Sequence, residues 1–134
     1  MHRLSLLIIS ISVLLIACTQ ESLITPKELL CEAKTNPTGI ATTLPEFSWK
    51  NVAGINNSKQ TGYQILVASS PTLLQDGKAD LWDSGKVLSS KSVWIPYGGQ
   101  KLHSRSVAYW KIKVWDQNNT ASAWSETQNF RLGC

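Results

Sequence analysis

The sequence predicts an all-β fold, an antiparallel β-sandwich of about seven strands, on three observations. From Lys27 onward apolar residues recur with a period of two, and no 3.6-residue period persists beyond two turns. Turn-forming clusters separate these runs: Asn36-Pro37-Thr38-Gly39, Asn56-Asn57-Ser58, Asp76-Gly77, Pro96-Tyr97-Gly98-Gly99 and Asn118-Asn119. A length of 134 residues suits a single domain. Six Trp, three Tyr and two Phe give it more core-forming surface than a disordered chain carries.

The strands fall at 29–34, 45–50, 62–69, 81–87, 92–96, 106–115 and 123–131. In the sixth, Ala108, Trp110, Ile112 and Val114 share one face of the pleat, and Tyr109, Lys111 and Lys113 share the other. One face is therefore core and the other wet. Across the turn at 116–120 its partner is 123–131, forming the terminal hairpin. In 62–69, Tyr63, Ile65 and Val67 alternate with Gln64, Leu66 and Ala68, a weak contrast that suits a central strand covered on both faces. The same alternation assigns Trp49 and Trp110 to the core. Ser70-Pro71 followed by Thr72-Leu73-Leu74-Gln75 predicts one helical turn with Pro71 at its first position. The Trp82-Asp83 and Trp115-Asp116 pairs invite a propeller reading, but 134 residues cannot form four blades of about 40 residues each.

Ahead of the sandwich, residues 4–16 form an apolar run in which only Ser5, Ser10 and Ser12 are polar, preceded by Arg3. This matches the apolar region of a secretory signal and falls short of the roughly 20 residues of a membrane span. The Leu15-Ile16-Ala17-Cys18 that closes the run resembles the lipobox of bacterial lipoproteins. Small Ala17 fits a signal-peptidase groove, and Cys18 offers a thiol for lipid. The expected organisation is a lipoprotein signal peptide at 1–17, a lipidated tether at 18–26 and the sandwich at 27–134. An ordinary signal peptide followed by a chance cysteine is the alternative. Each buried methylene contributes about 0.8 kcal/mol, so several acyl chains on Cys18 hold a protein durably on a bilayer. The expected location is the bacterial cell envelope. Thr19 replaces the Asp that marks inner-membrane retention, which points to the outer membrane. Disulfides are permitted in that compartment. Cys31 lies in an apolar strand pattern and reads as a buried free thiol; a bridge to Cys134 stays open, requiring Cα atoms within about 7 Å.

Seven segments occur in a fixed order: Cys31-Glu32, Asn36 to Ile40, Pro45-Glu46-Phe47-Ser48-Trp49, Gln60 to Ala68, Leu81-Trp82-Asp83-Ser84-Gly85-Lys86-Val87, Tyr109 to Asp116 and Ser122-Ala123-Trp124-Ser125-Glu126. Together they resemble the N-terminal fibronectin type III-like domain of bacterial α-L-rhamnosidases, across nearly all of residues 28–132. The resemblance implies an immunoglobulin-like sandwich placed ahead of further β domains and a helical (α/α)₆ barrel that removes terminal rhamnose with inversion. It also implies that both catalytic carboxylates belong to that barrel, so no catalytic residue is carried onto this chain. The expected function is that of a non-catalytic module of an α-L-rhamnosidase-like cell-envelope lipoprotein. One departure from the type III pattern is Ala108, six residues after Leu102, where a strand-anchoring Tyr is usual; Tyr109 points to the opposite face.

The side-chain chemistry leads the same way. Glycoside hydrolysis uses two carboxylates about 5–10 Å apart, and only Asp80 with Asp83 or Asp116 with Glu126 suggest such a pair. Asp80 and Asp83, three apart in extended chain, point to opposite faces. Asp116 begins a turn, where a carboxylate usually bonds backbone N–H groups. His103 is the one histidine beyond the signal segment, too few for a His-based metal cluster and without a recognisable nucleophile to serve. No Gly-rich loop leads into a helix. Catalytic residues, metal and cofactor are all expected to be none. Thirteen Lys+Arg against nine Asp+Glu, scattered singly, form no basic stripe, which argues against a nucleic-acid partner. Aromatic binding is left. An indole face can stack on a sugar ring, and Trp82, Trp94, Trp115 and Trp124, near strand ends or on the outer pleat, are the candidates for contact with a carbohydrate or a neighbouring domain. The expected partners are the membrane, through lipidated Cys18, and a rhamnosidase catalytic domain or a glycan. A stand-alone carbohydrate-binding surface lipoprotein or a protein-interaction module is the alternative.

Overall fold

The computed structural model describes residues 20–134; the predicted signal peptide at 1–17 and the lipidation site Cys18 lie outside the described residues. Seven strands form: β1 (Ile24–Cys31), β2 (Glu46–Ala53), β3 (Gln60–Ala68), β4 (Trp82–Asp83), β5 (Ile95–Pro96), β6 (Val107–Asp116) and β7 (Gln128–Arg131). They make two antiparallel sheets, one ordered β1-β2-β5 and the other β4-β3-β6-β7. The architecture is the predicted seven-stranded β-sandwich.

Alternation explains why the two sheets face each other. β6 buries every second residue, with Ala108, Trp110, Ile112 and Val114 inward. β3 is buried along almost its whole length because it is central in its sheet and covered on its outer face as well. Its Tyr63, Ile65 and Val67 join the main core, while Leu66 and Ala68 pack under Leu74 in a smaller outer cluster. The Pro71–Leu73 helical turn, with Pro71 in its first turn as predicted, leads into Leu74 above that outer face. The sheets meet at Phe47 of β2, whose ring centroid lies 4.5 Å from Trp110 of β6, 5.9 Å from Phe130 of β7 and 6.3 Å from Trp82 of β4. Such aromatic contacts add about 0.5–1.5 kcal/mol each beyond the area they bury.

Strand ends depart from the sequence reading. β1 begins at Ile24, so the last residues of the predicted tether, 24–26, belong to the sheet. The reason is a bulge between Lys27 and Leu30, with Glu28 at φ +49°. The extra residue puts Ile24 and Pro26 on the same buried side as Leu29 and Cys31, a change of parity that hides the strand from a period-two search. Pro26 is tolerated because β1 is an edge strand. The predicted strand 29–34 instead stops at Cys31, where Glu32 and Ala33, both at positive φ, fold the chain back so that Cys31 pairs with Lys34. The predicted strands 81–87, 92–96 and 123–131 shrink to β4, β5 and β7. Serine hydroxyls stand at these boundaries: Ser84 Oγ accepts the Ile65 N–H at 2.8 Å, Ser125 Oγ that of Ile112 at 2.9 Å and Ser122 Oγ, just ahead of 123–131, that of Val114 at 3.0 Å, while at β5 it is Ser48 Oγ of the neighbouring β2 that accepts the Trp94 N–H at 3.0 Å.

One end of the sandwich is closed by two buried polar side chains. Gln60 accepts from the Trp49 indole N–H at 3.0 Å and the Asn51 amide at 2.8 Å, and donates to the carbonyls of Ser89 and Lys91. Asp116, only 1% exposed, accepts the N–H groups of Leu23 at 2.9 Å, Asn118 at 2.8 Å and Thr120 at 3.0 Å. Burial alone would raise its pKa; the three N–H groups and the Ser22 hydroxyl outweigh that and hold the carboxyl below the usual aspartate value. The stabilisation is therefore complete above about pH 4 and is lost as pH falls through the lowered folded value. Asp116→Asn should cost roughly 1–3 kcal/mol at pH 7 in chemical denaturation, and its stability should decline less than the wild type's as the pH falls below about 4. Equal stability at pH 7 would show that the N-terminal segment is not held by this carboxylate.

Candidate functional site

The four tryptophans singled out by sequence do not share one surface. Trp82 is not a free platform: it packs against the main core, stacks on Phe47 and meets Tyr97 edge-on at 5.4 Å. The Pro96–Gly99 turn covers it. A Cβ at Gly98 would stand 3.2 Å from the Trp82 ring, and one at Gly99 only 2.3 Å from the Leu81 carbonyl oxygen. Glycines are required there because the backbone itself is the lid. Beneath it the Tyr97 hydroxyl donates to the carbonyls of Gln100 and Leu81, and burial, with Asp80 nearby, raises its pKa to about 12.

Trp115 and Trp124 lie on the outer face of the four-stranded sheet but are only half-exposed. Lysines cover them. Lys86 Nζ sits 4.8 Å from the Trp115 ring centroid, Lys113 Nζ lies 5.4 Å from Trp115 and 4.4 Å from Trp124, and Lys111 Nζ lies 4.9 Å from Trp124. All fall within the roughly 6 Å range of cation–π attraction. Burial lowers the pKa of Lys111, with Asp76 opposing and Lys113 adding to the effect. The outer face is thus a ladder of alternating ammonium and indole groups. Tyr109 lies on this face too, packed in the outer cluster, while Ala108 points inward as the alternation requires.

Trp94 alone is open, at 52% exposure. It precedes buried Ile95 on the short edge strand, adopts φ +53° and is fixed by its N–H to Ser48 Oγ. Val93 beside it and Val52 near the end of β2 are also exposed. A separate groove of about 420 Å³ runs between the bulged β1 and the segment 123–128; Trp124 lines it together with Thr25, Glu28, Glu126 and Gln128. Sequence reasoning missed this groove because it depends on the bulge.

The suggested acid pairs are not assembled. Asp80 accepts from the Ser69 N–H and hydroxyl, which lower its pKa against the rise that burial alone would bring. Asp83 takes the Gln64 amide and the Gly85 N–H. Asp116 is the buried clamp, and Glu126 follows Ser125, whose N–H bonds Ile112, four residues back along β6 and on the order of 13 Å away. His103 is exposed in the loop before β6. Among the described residues no group of three or more His, Cys, Asp or Glu side chains could hold a metal ion, and no helix is long and apolar enough to cross a membrane. Cys31 and Cys134 are both free; burial, helped by Glu32, pushes the Cys31 thiol up to about 12 and leaves it unreactive.

Residues 26–134 match the family described as Rha78A-like, N-terminal immunoglobulin domain. An α-L-rhamnosidase of Formosa agariphila is 45% identical over 106 residues, which are 79% of this chain and 11% of that protein. The solved α-L-rhamnosidase from Dictyoglumus thermophilum superposes with a TM-score of 0.77 at 42% identity, covering 81% of this chain and 12% of that one. The Streptomyces avermitilis α-L-rhamnosidase complexed with L-rhamnose gives 0.78 at 34% identity, with 82% and 10% covered. This chain therefore spans about a tenth of the length of the relatives it matches.

The tryptophan environments order their accessibility. Acrylamide should quench a readily accessible part of the intrinsic fluorescence that disappears in Trp94→Phe and persists in Trp82→Phe. Equal losses in the two variants would contradict that order.

Proposed function

The chain belongs to the family of Rha78A-like N-terminal immunoglobulin domains, and from that membership we propose that it serves as the non-catalytic leading module of an α-L-rhamnosidase-like protein acting on rhamnose-containing glycans at the cell envelope. The observation that carries this reading is the extent of the match, which takes in the sandwich from Pro26 of β1 onward and about a tenth of the relatives' length. The local chemistry supports it. Inverting hydrolysis needs an acid and a base about 6.5–9.5 Å apart with a water between them. Here Asp80 and Asp116 are engaged in backbone and side-chain bonds of their own, and Asp76 and Asp83 converge on the Gln64 amide, from which both accept in the place a water would need. The module contributes by position, as a rigid sandwich beside a catalytic neighbour. Trp94, with Val93 and Val52, supplies the exposed apolar surface for that contact.

The same proposal places the protein on a membrane through lipid on Cys18, in the outer membrane of a bacterial envelope; Leu15-Ile16-Ala17-Cys18 and Thr19 support it. Carbohydrate binding by the domain alone is the second reading, favoured by the groove beside Trp124 with its carboxylates and amide.

Two experiments test these assignments. Purified protein incubated with an aryl α-L-rhamnoside should release product no faster than buffer. Turnover that vanished in Asp83→Asn or Glu126→Gln would overturn the module reading, and absence of turnover together with saturable rhamnose binding lost in Trp124→Ala would favour the second. Labelled palmitate should enter the wild type and not Cys18→Ala; equal labelling would remove the lipid anchor.

A further inference from the structure

The two ends of the sandwich differ. Ile24 pairs with Ala53 and Gln60 with Asp116, so the starts of β1 and β3 and the ends of β2 and β6 gather at one end. Four segments are bonded together there. Leu23 N–H reaches Asp116, Lys59 N–H reaches the Gln117 side chain at 3.0 Å, the Gln60 amide holds the carbonyls of Ser89 and Lys91, and the Lys86 ammonium bonds the Asn119 side-chain carbonyl. On this fixed surface stand two of the most exposed large apolar residues of the domain, Leu88 at 80% and Ile55 at 60%. Exposed Lys59, Lys86 and Lys91 accompany them. Among the described residues Glu21 is the exposed acid nearest this end. The others are committed elsewhere: Glu28 pairs with Lys50, Asp76 and Asp83 hold the Gln64 amide, Asp80 holds Ser69, and Glu126 lies beside the middle of β6.

Cys18 precedes Leu23 by five residues, which span at most about 18 Å fully extended. Leu23 is itself pinned to Asp116. A lipid on Cys18 therefore brings its bilayer to this end and to no other. Resting on the reading of Cys18 as acylated, we propose that the end formed by the 54–59 turn, the 86–91 segment and the 116–120 turn is a membrane-facing surface. Ile55 and Leu88 enter the boundary between headgroups and acyl chains, and the three lysines meet anionic phospholipid headgroups. The opposite end, where Arg131 pairs with Val107 and Cys134 lies beside Arg105, is then held about 30 Å further out, the length of β6.

Nitroxide depth measurements test this. The full chain is produced in a lipoprotein-processing bacterium and reconstituted into vesicles of phosphatidylethanolamine and phosphatidylglycerol. A spin label is attached to Leu88→Cys in a Cys134→Ser background, or to the native Cys134 of the otherwise unchanged chain. The label at 88 should be at least fivefold less accessible to a water-soluble relaxation agent than the label at 134, and the difference should collapse in detergent-free buffer with Cys18→Ala protein. Equal accessibility at the two positions, with acyl mass found on Cys18, overturns the orientation and leaves the anchor standing. Absence of acyl mass on Cys18 overturns the anchor, and the orientation with it.

Discussion

Everything else in this domain is arranged around the contact of Phe47 with Trp110. Phe47 sits on the middle strand of the three-stranded sheet, and Trp110 on one of the two inner strands of the four-stranded sheet, so their rings at 4.5 Å set the spacing between the layers. Phe130 and Trp82 fill the flanks of the same ring, each from an edge strand of the facing sheet. β4 has two residues and β7 four; neither has enough ladder bonds to hold its place alone. Aromatic packing at the centre is what makes such short edges part of one sheet. It carries a cost, because the Trp110 indole N–H is buried without a partner, a deficit on the order of 1–3 kcal/mol that the burial of four aromatic side chains outweighs.

Apolar packing fixes the layers but leaves the ends to polar groups. Gln60 and Asp116, directly paired across β3 and β6, each take bonds from segments remote in sequence. Buried polar groups of this kind are stable only when fully satisfied, and satisfying them requires the N-terminal segment, the 86–91 segment and the β6–β7 turn to occupy fixed positions. The point at which the chain enters the domain is thereby determined by one carboxylate.

How much of this was legible follows from which interactions leave a periodic trace. The inward row of β6, the double burial of β3, the helical turn at Pro71 and the core placement of Trp49 and Trp110 all follow from spacing, and the structure has them there. The start of β1 was invisible because one residue at a bulge reverses the parity of everything before it. Three strands come out shorter than their apolar pattern because side-chain hydroxyls replace ladder carbonyls at their boundaries, Ser84 and Ser125 taking N–H groups of β3 and β6 and Ser48 of β2 taking that of Trp94, and such a replacement leaves no periodic trace. The tryptophans were the least legible. Alternation tells which side of a sheet a residue faces, not what lies on top of it: Trp82 is covered by a glycine turn remote in sequence, and Trp115 by Lys86 from another segment.

That covering decides where the domain can meet something else. To stack on Trp115 or Trp124, a sugar or a protein side chain must displace ammonium groups held at 4.4–5.4 Å, each worth about 0.5–1 kcal/mol at an exposed site and more where partly desolvated. The outer face of the four-stranded sheet is consequently satisfied by its own side chains. Trp94 faces no such competition, and its backbone, tied to Ser48 in a left-handed conformation, is already ordered. An exposed ring on ordered backbone loses little conformational entropy on contact. The accessible aromatic surface of the domain is therefore the one at Trp94, beside the edge of the three-stranded sheet, whereas the aromatic rings on the outer face of the four-stranded sheet are already covered by ammonium groups of the same domain.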